Sequence, residues 1–174
     1  MTLLTVNEFR GSYRFLSTFC PQAVMFEGVR YNTVEHAFRA SMFMSRTIRQ
    51  MIKDCHKPGD AKRMSRMDSN IPYLNPNFDN IKLQVMEELL RQKFSPNSML
   101  AEKLLATMNA KLVDGNNWGD KFWGVDIVSN EGLNHHGKIL MKIREDLKQL
   151  KKNKYTGYTW YGVNNHITET SNTY

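Results

Sequence analysis

Cysteine is scarce in this chain. Cys20 and Cys55 are the only two thiols among 174 residues, and no CxxC pair occurs. Two isolated thiols do not make a disulfide framework, so the fold is expected to rest on an apolar core in a reducing compartment, the cytoplasm. Long apolar runs are missing too, which excludes a helical membrane span. The opening residues Met1 to Glu8 lack the basic start and apolar stretch of a signal peptide. No P-loop, GxGxxG or HExxH signature occurs. The adjacent pair His135-His136 would diverge by about 100° on a helix, which makes it a poor metal clamp, and no metal is expected. Negative charge is in deficit: 24 Lys and Arg against 17 Asp and Glu give a net +7 and an isoelectric point near 9.4. That balance favours anionic partners, namely phosphates, dinucleotides or nucleic acid. Part of the excess, Lys148, Lys151, Lys152 and Lys154, also reads as the solvated end of a last helix, where cations suit the helix dipole.

The length and a hydrophobic fraction of 41% suit one compact domain with a real core. Residues 23–31 read as a hairpin around Glu27-Gly28. Thr33 caps a helix expected to run to about Lys53, with Phe38, Met42, Ser45, Ile48, Met51 and Ile52 on one face. Pro58 opens a second helix through about Met67. Asp68 to Asn77 is a loop. Asn77 caps a helix with Ile81, Val85, Met86, Leu89, Leu90 and Phe94 inside, and Asn97 starts another. Lys111 to Val113 and Phe122 to Val125 are expected strands, joined by a turn-rich loop at Asp114 to Trp118. Asn134 or a neighbour opens the last long helix. The class is therefore helix-rich α+β with a few short strands. The domain is bounded at residues 1–150, and residues 151–174 form a polar tail expected to be dispensable for catalysis.

Two distant clusters stand out. One runs from Phe15-Leu16-Ser17-Thr18-Phe19 through Gly28 and Tyr31 to Thr33-Val34-Glu35-His36-Ala37-Phe38. The other runs from Asp120-Lys121-Phe122-Trp123-Gly124-Val125 through Asn134 to Gly137-Lys138-Ile139-Leu140-Met141. Each sets a carboxylate among aromatics, glycines and amides. Such a mixture can steady a cationic sugar and hold a flat base.

In order along the chain, these clusters together with Ala61-Lys62-Arg63, the stretch from Pro76 to Phe94, and Leu104 through Met141-Lys142-Ile143-Arg144 resemble the NADAR (YbiA-like) superfamily of N-glycosidases. The resemblance spans nearly everything from Phe9 to Leu147. It implies a single YbiA-like domain that hydrolyses the bond between a ribose phosphate or ADP-ribose unit and a nitrogenous base, without a redox cofactor. Two substrate classes follow from it: phosphorylated ribosylamino-pyrimidines of early riboflavin synthesis, and ADP-ribose attached to a base such as guanine, free or carried on nucleic acid.

Glu35 is the first catalytic candidate. Periodicity alone would make it a helix-start residue complementing the dipole, but the family's Glu-His pair matches Glu35-His36. His36 itself reads as structural. Asp120 is the second acid. It would otherwise be a turn aspartate, but the family places an acid before its Trp-Gly. Lys62, with Arg63, would neutralise a phosphate or offer an amine to an opened sugar. Trp123 would stack on a base or fill the core. Gly124 would admit close backbone approach, and the Asn134 amide would read a hydroxyl or a base edge or serve as a cap. Phe15, Ser17 and Phe19 resemble the pocket-lining start of the family. The chain departs from the family's pattern at Thr18, Arg39, Met42, Asn75, Asn77-Phe78 and Asp114, changes that bear on the substrate more than on the reaction. The competing reading is a non-catalytic module for ADP-ribose or nucleic acid, which the basic charge and the aromatics of the tail would suit.

Overall fold

The computed structural model describes residues 4–152, so the tail beyond them, with Tyr155, Trp160 and Tyr161, lies outside the described residues. The molecule is built around a short helix, α1 (Val34–Ser41), in which Val34, Glu35, His36, Ala37, Phe38, Ala40 and Ser41 are all buried. A helix buried on every side must satisfy its polar groups internally. Thr33 accepts the backbone N–H of His36 as N-cap. The His36 ring spans Thr33 Oγ1 at 2.8 Å and the Cys55 carbonyl at 3.1 Å. A carbonyl can only accept, so Nε2 carries the proton and Nδ1 takes the threonine hydroxyl. His36 thus ties the start of α1 to the segment before α3, and burial holds its pKa below the usual histidine value.

Around α1 pack α2 (Arg46–Lys53), α3 (Pro58–Met64) and α4 (Phe78–Lys93). Further out, α5 (Met99–Ala106) and α6 (His135–Lys152) complete the helical layer. The core side chains Leu89, Leu90 and Phe94 from the end of α4, Leu104 of α5, and Leu140 and Ile143 of α6 are essentially inaccessible to water. Burying each such side chain contributes roughly 1.5–3 kcal/mol.

Three two-stranded ladders border the helices. β2 (Val24–Phe26) and β3 (Val29–Tyr31) form the expected hairpin, with Val24 opposite Tyr31. Its two turn residues, Glu27 and Gly28, both have positive φ, 46° and 77°, as the right-handed twist of a tight hairpin requires. β1 (Thr5–Val6) runs parallel to β4 (Lys111–Leu112). β5 (Gly115–Asn116) runs parallel to β6 (Val125–Asp126). The β1–β4 pair brings the start of the chain onto the segment at 111–112, and the β5–β6 pair folds residues 115–126 back on themselves beside it.

Five expectations are corrected. The helix expected from Thr33 to Lys53 is two helices. Between them the Met42 carbonyl accepts from Asn75 N–H at 2.7 Å and Met44 N–H donates to the Tyr73 carbonyl, so the backbone of 42–44 is drawn into a bridge with 73–75. Ser45, expected on the apolar face, instead caps α2 by accepting from Ile48 N–H. The loop at 68–77 contains a 3₁₀ turn, Asp68–Tyr73. α5 is capped by Ser98 rather than started by Asn97, which takes positive φ. The strand expected at Phe122–Val125 shrinks to β6, because Asp120 turns the residues before it.

Candidate active site

A cavity of about 400 Å³ opens between the N-terminal 3₁₀ segment Gly11–Leu16, α1, α3, the 114–123 loop and the start of α6. Its walls include Ser17, Phe19, Glu35, Lys62, Asp120 and Trp123. Two regions about 85 positions apart in sequence therefore meet in one space of the size that small-molecule sites use.

Glu35 lies in the first turn of α1 and is 4% exposed. Oε2 accepts from the Thr18 hydroxyl at 2.8 Å, and Oε1 accepts from Arg39 Nε at 2.7 Å, one turn further along the helix. Its backbone N–H donates to the Thr18 carbonyl, so the chain at 17–19 is clipped to the helix start. Asp120 is held differently. Oδ1 accepts the N–H groups of Phe122 and Trp123 at 3.1 and 2.9 Å, an Asx turn that aims the Trp123 ring. Asn116 clasps the same turn, accepting Asp120 N–H and donating to the Asp120 carbonyl. Trp123 packs edge-on against Phe38 at 5.2 Å and against Phe122 at 5.0 Å, and so presents a fixed aromatic wall.

Lys62 enters half-buried from α3, four residues after Pro58 starts that helix. Burial lowers its pKa from the usual lysine value. Glu35 and Asp120 oppose that shift, while Arg39 and Arg66 add to it. Its ammonium lies 5.5 Å from the Trp118 ring centroid, and the Arg10 guanidinium lies 5.8 Å from the same ring. Arg10 and Arg14, both exposed, complete a cationic rim.

Four sequence candidates lie outside the cavity wall. Arg63 is exposed and pairs with Asp60 at 2.9 Å. Phe15 packs on the core beside Tyr13. Asn134, at φ 51°, uses its whole amide on backbone: Nδ2 donates to the Leu112 carbonyl and Oδ1 accepts from Asp114 N–H. Gly124 is pressed against protein, since a Cβ there would sit 2.1 Å from the Asp114 carbonyl oxygen. Asn134 and Gly124 together fix the turn at Asp114.

Conversely, the wall contains Phe9, Arg10, Arg14, Phe38, Met86, Asp114, Trp118 and His136, which the sequence reading did not select as site residues. Arg39 was legible as a helix partner of Glu35 at the i,i+4 spacing. The N-terminal arginines carry no local signal, because only the β1–β4 pairing brings them across. Thr18, Arg39 and Asp114, three of the positions that depart from the family pattern, all reach this cavity. Among the described residues, no group of three or more His, Cys, Asp or Glu is arranged to hold a metal ion, and no helix is long and apolar enough to cross a membrane.

Comparison with known proteins identifies the family. Residues 6–148 match the NADAR domain family. The N-glycosidase YbiA of Escherichia coli K12 is 35% identical over 146 residues, covering 84% of this chain and 89% of that protein. The riboflavin biosynthesis protein VVA0006 of Vibrio vulnificus is 30% identical over 138 residues, covering 79% of this chain but 36% of that longer protein. The solution structure of E. coli YbiA superposes with a TM-score of 0.76 at 32% identity, covering 91% of this chain and 92% of that one. A family match over residues 6–148, a shared helix-rich α+β fold and matches over most of both YbiA and this chain lead to one assignment: the chain belongs to the NADAR family of N-glycosidases.

Proposed function

We propose that this chain hydrolyses the C1–N bond between a phosphorylated ribose and a nitrogenous base. The substrate is either a ribosylamino-pyrimidine phosphate, a reading supported by a Vibrio relative named for riboflavin biosynthesis, or an ADP-ribosylated base such as guanine. The observation that carries the reading is the convergence of Glu35 and Asp120 with Lys62 and Trp123 on one cavity.

The chemistry follows from the charges. As the C1–N bond loosens, the sugar becomes oxocarbenium-like and gains positive charge. Glu35 and Asp120 stabilise that charge and position water. Hydrogen bonds already fix both carboxylates, so little reorganisation is needed in the transition state. Trp123 stacks on the departing base. Lys62, Arg10 and Arg14 anchor phosphate by charge-assisted hydrogen bonds. The lowered pKa of Lys62 also makes its ammonium a readier proton donor than an ordinary lysine.

Purified protein incubated with each substrate class, with base and sugar phosphate followed by mass spectrometry, tests the reading. Release of base from one class is the expected result. Binding without release from either would select the non-catalytic module instead.

A further inference from the structure

Three carboxylates line the cavity among the described residues, and they are not equally engaged. Both oxygens of Glu35 are taken, one by Thr18 and one by Arg39. One oxygen of Asp120 is spent on two backbone N–H groups. Asp114 is held on all sides except at one oxygen. Its N–H is bound by Asn134, its carbonyl accepts from Val125 N–H at 3.0 Å, and its Oδ2 lies 2.8 Å from His136 Nδ1. Its side chain stays 28% exposed on the cavity, and Oδ1 has no hydrogen-bond partner among the described residues.

His136 explains why Asp114 is so well fixed. The ring sits at the first turn of α6, is 3% exposed, and packs edge-on against Phe9 at 5.1 Å. Its Nε2 is buried and has no protein partner among the described residues. An unsatisfied buried polar atom costs about 1–3 kcal/mol. A leucine would occupy such an apolar niche without that cost. What the imidazole adds is its bond to the Asp114 carboxylate, and a carboxylate can only accept, so Nδ1 donates.

We propose that Asp114 is the residue that reads the ribose hydroxyls of the substrate, with His136 as its positioning residue. An ionised carboxylate accepts hydrogen bonds at both oxygens, and a ribose offers neighbouring hydroxyl donors. With Oδ2 on His136, Oδ1 is the oxygen turned to the ligand. The charge also lies on the same cavity in which the sugar becomes cationic, so the contact strengthens as the bond breaks. This inference rests on the N-glycosidase reading above and adds a specificity to it: the enzyme requires a ribose and disfavours a deoxyribose.

The test compares wild type, Asp114→Asn, His136→Leu and His136→Gln. Calorimetry gives binding of ribose 5-phosphate, 2-deoxyribose 5-phosphate and 3-deoxyribose 5-phosphate, and kcat/KM is measured on whichever substrate class the enzyme turns over. Thermal melting confirms folding. Wild type should prefer ribose 5-phosphate over at least one deoxy sugar by about tenfold to a hundredfold, the worth of one hydrogen bond to a charged group. Asp114→Asn should erase most of that preference. His136→Leu should weaken it in the same sense, and His136→Gln, whose amide can donate to Asp114, should restore part of it. Equal affinity of wild type for all three sugars, or an unchanged preference in a folded Asp114→Asn protein, overturns the inference. Base release by wild type would then leave the N-glycosidase reading standing. Without base release, that reading fails, and the calorimetry still decides this one.

Discussion

Replacing Glu35 by glutamine separates its structural work from its chemical work. The side chain is 5% exposed and pairs at 2.7 Å with Arg39, itself 13% exposed. Glutamine keeps the shape, and its oxygen still accepts from Arg39. The amide NH₂ faces Thr18, whose hydroxyl can turn to accept. What is lost is a negative charge beside a mostly buried guanidinium. Stranding one member of a fully buried pair costs about 3–5 kcal/mol. Arg39 borders the cavity and keeps a hydrogen bond, so about 1–3 kcal/mol is expected here. For a domain of this size, that corresponds to a melting temperature lower by a few degrees to about 10 °C. Turnover should fall further, by roughly a hundredfold, the effect of losing about 3 kcal/mol of transition-state electrostatics. The double variant Glu35→Gln/Arg39→Met removes the stranded charge. It should melt near wild type and remain inactive. Recovery of turnover in the double variant would show that the loss came from the orphaned arginine and not from the missing carboxylate. Near-normal activity and melting in Glu35→Gln alone would make Glu35 a helix-start residue only.

Lys62→Met should raise KM for a phosphorylated substrate by about tenfold or more, through loss of a charge-assisted contact, while melting holds or rises because a half-buried ammonium no longer needs solvation; an unchanged KM would refute its role as a phosphate anchor. Gly124→Ala should destabilise by at least about 1–3 kcal/mol in urea unfolding, since its Cβ would meet the Asp114 carbonyl at 2.1 Å and force the backbone apart. For His36, burial puts the folded pKa below the unfolded value, so the folded state binds fewer protons. Its contribution to stability is complete above the unfolded value of about pH 6.5 and is lost as pH falls from there through the lower folded pKa, and the melting difference between pH 7.5 and pH 5 should be smaller in His36→Gln than in wild type.

Local chemistry was legible where a few neighbouring residues decide the outcome. The Glu27-Gly28 turn demands positive φ, and Thr33 can cap only the helix that follows it, so both features stand where the sequence places them. The break after α1 was not legible. Met42, Phe43 and Met44 continue an apolar helical pattern, and only a distant partner, the segment 73–75, draws their backbone away. The site divides along the same line. Ser17, Phe19, Glu35, Lys62, Asp120 and Trp123 were picked from their motifs and line the cavity. Arg10, Arg14 and His136 were not, because their relation to it is set by strand pairing and helix packing across the chain. Gly124 was read as a ligand contact and Asn134 as a ligand contact or a cap, and their motif is as well explained by the tight turn they hold around Asp114.

The uneven exposure of the cavity's cations has a kinetic consequence. Arg39 is tied to Glu35 by an ion pair, whereas Arg10 and Arg14 stand in solvent at the rim and Lys62 is half-buried. On the proposed reading, an approaching phosphate meets a net positive rim, in which the exposed Glu8 carboxylate, 3.6 Å from Arg10, offsets part of the charge and Arg14 stands exposed beside it. Attraction at an exposed rim is screened over about 8 Å at physiological ionic strength. Added salt should accordingly slow capture of substrate and leave the bond-breaking step untouched, so that kcat/KM falls with ionic strength while kcat does not.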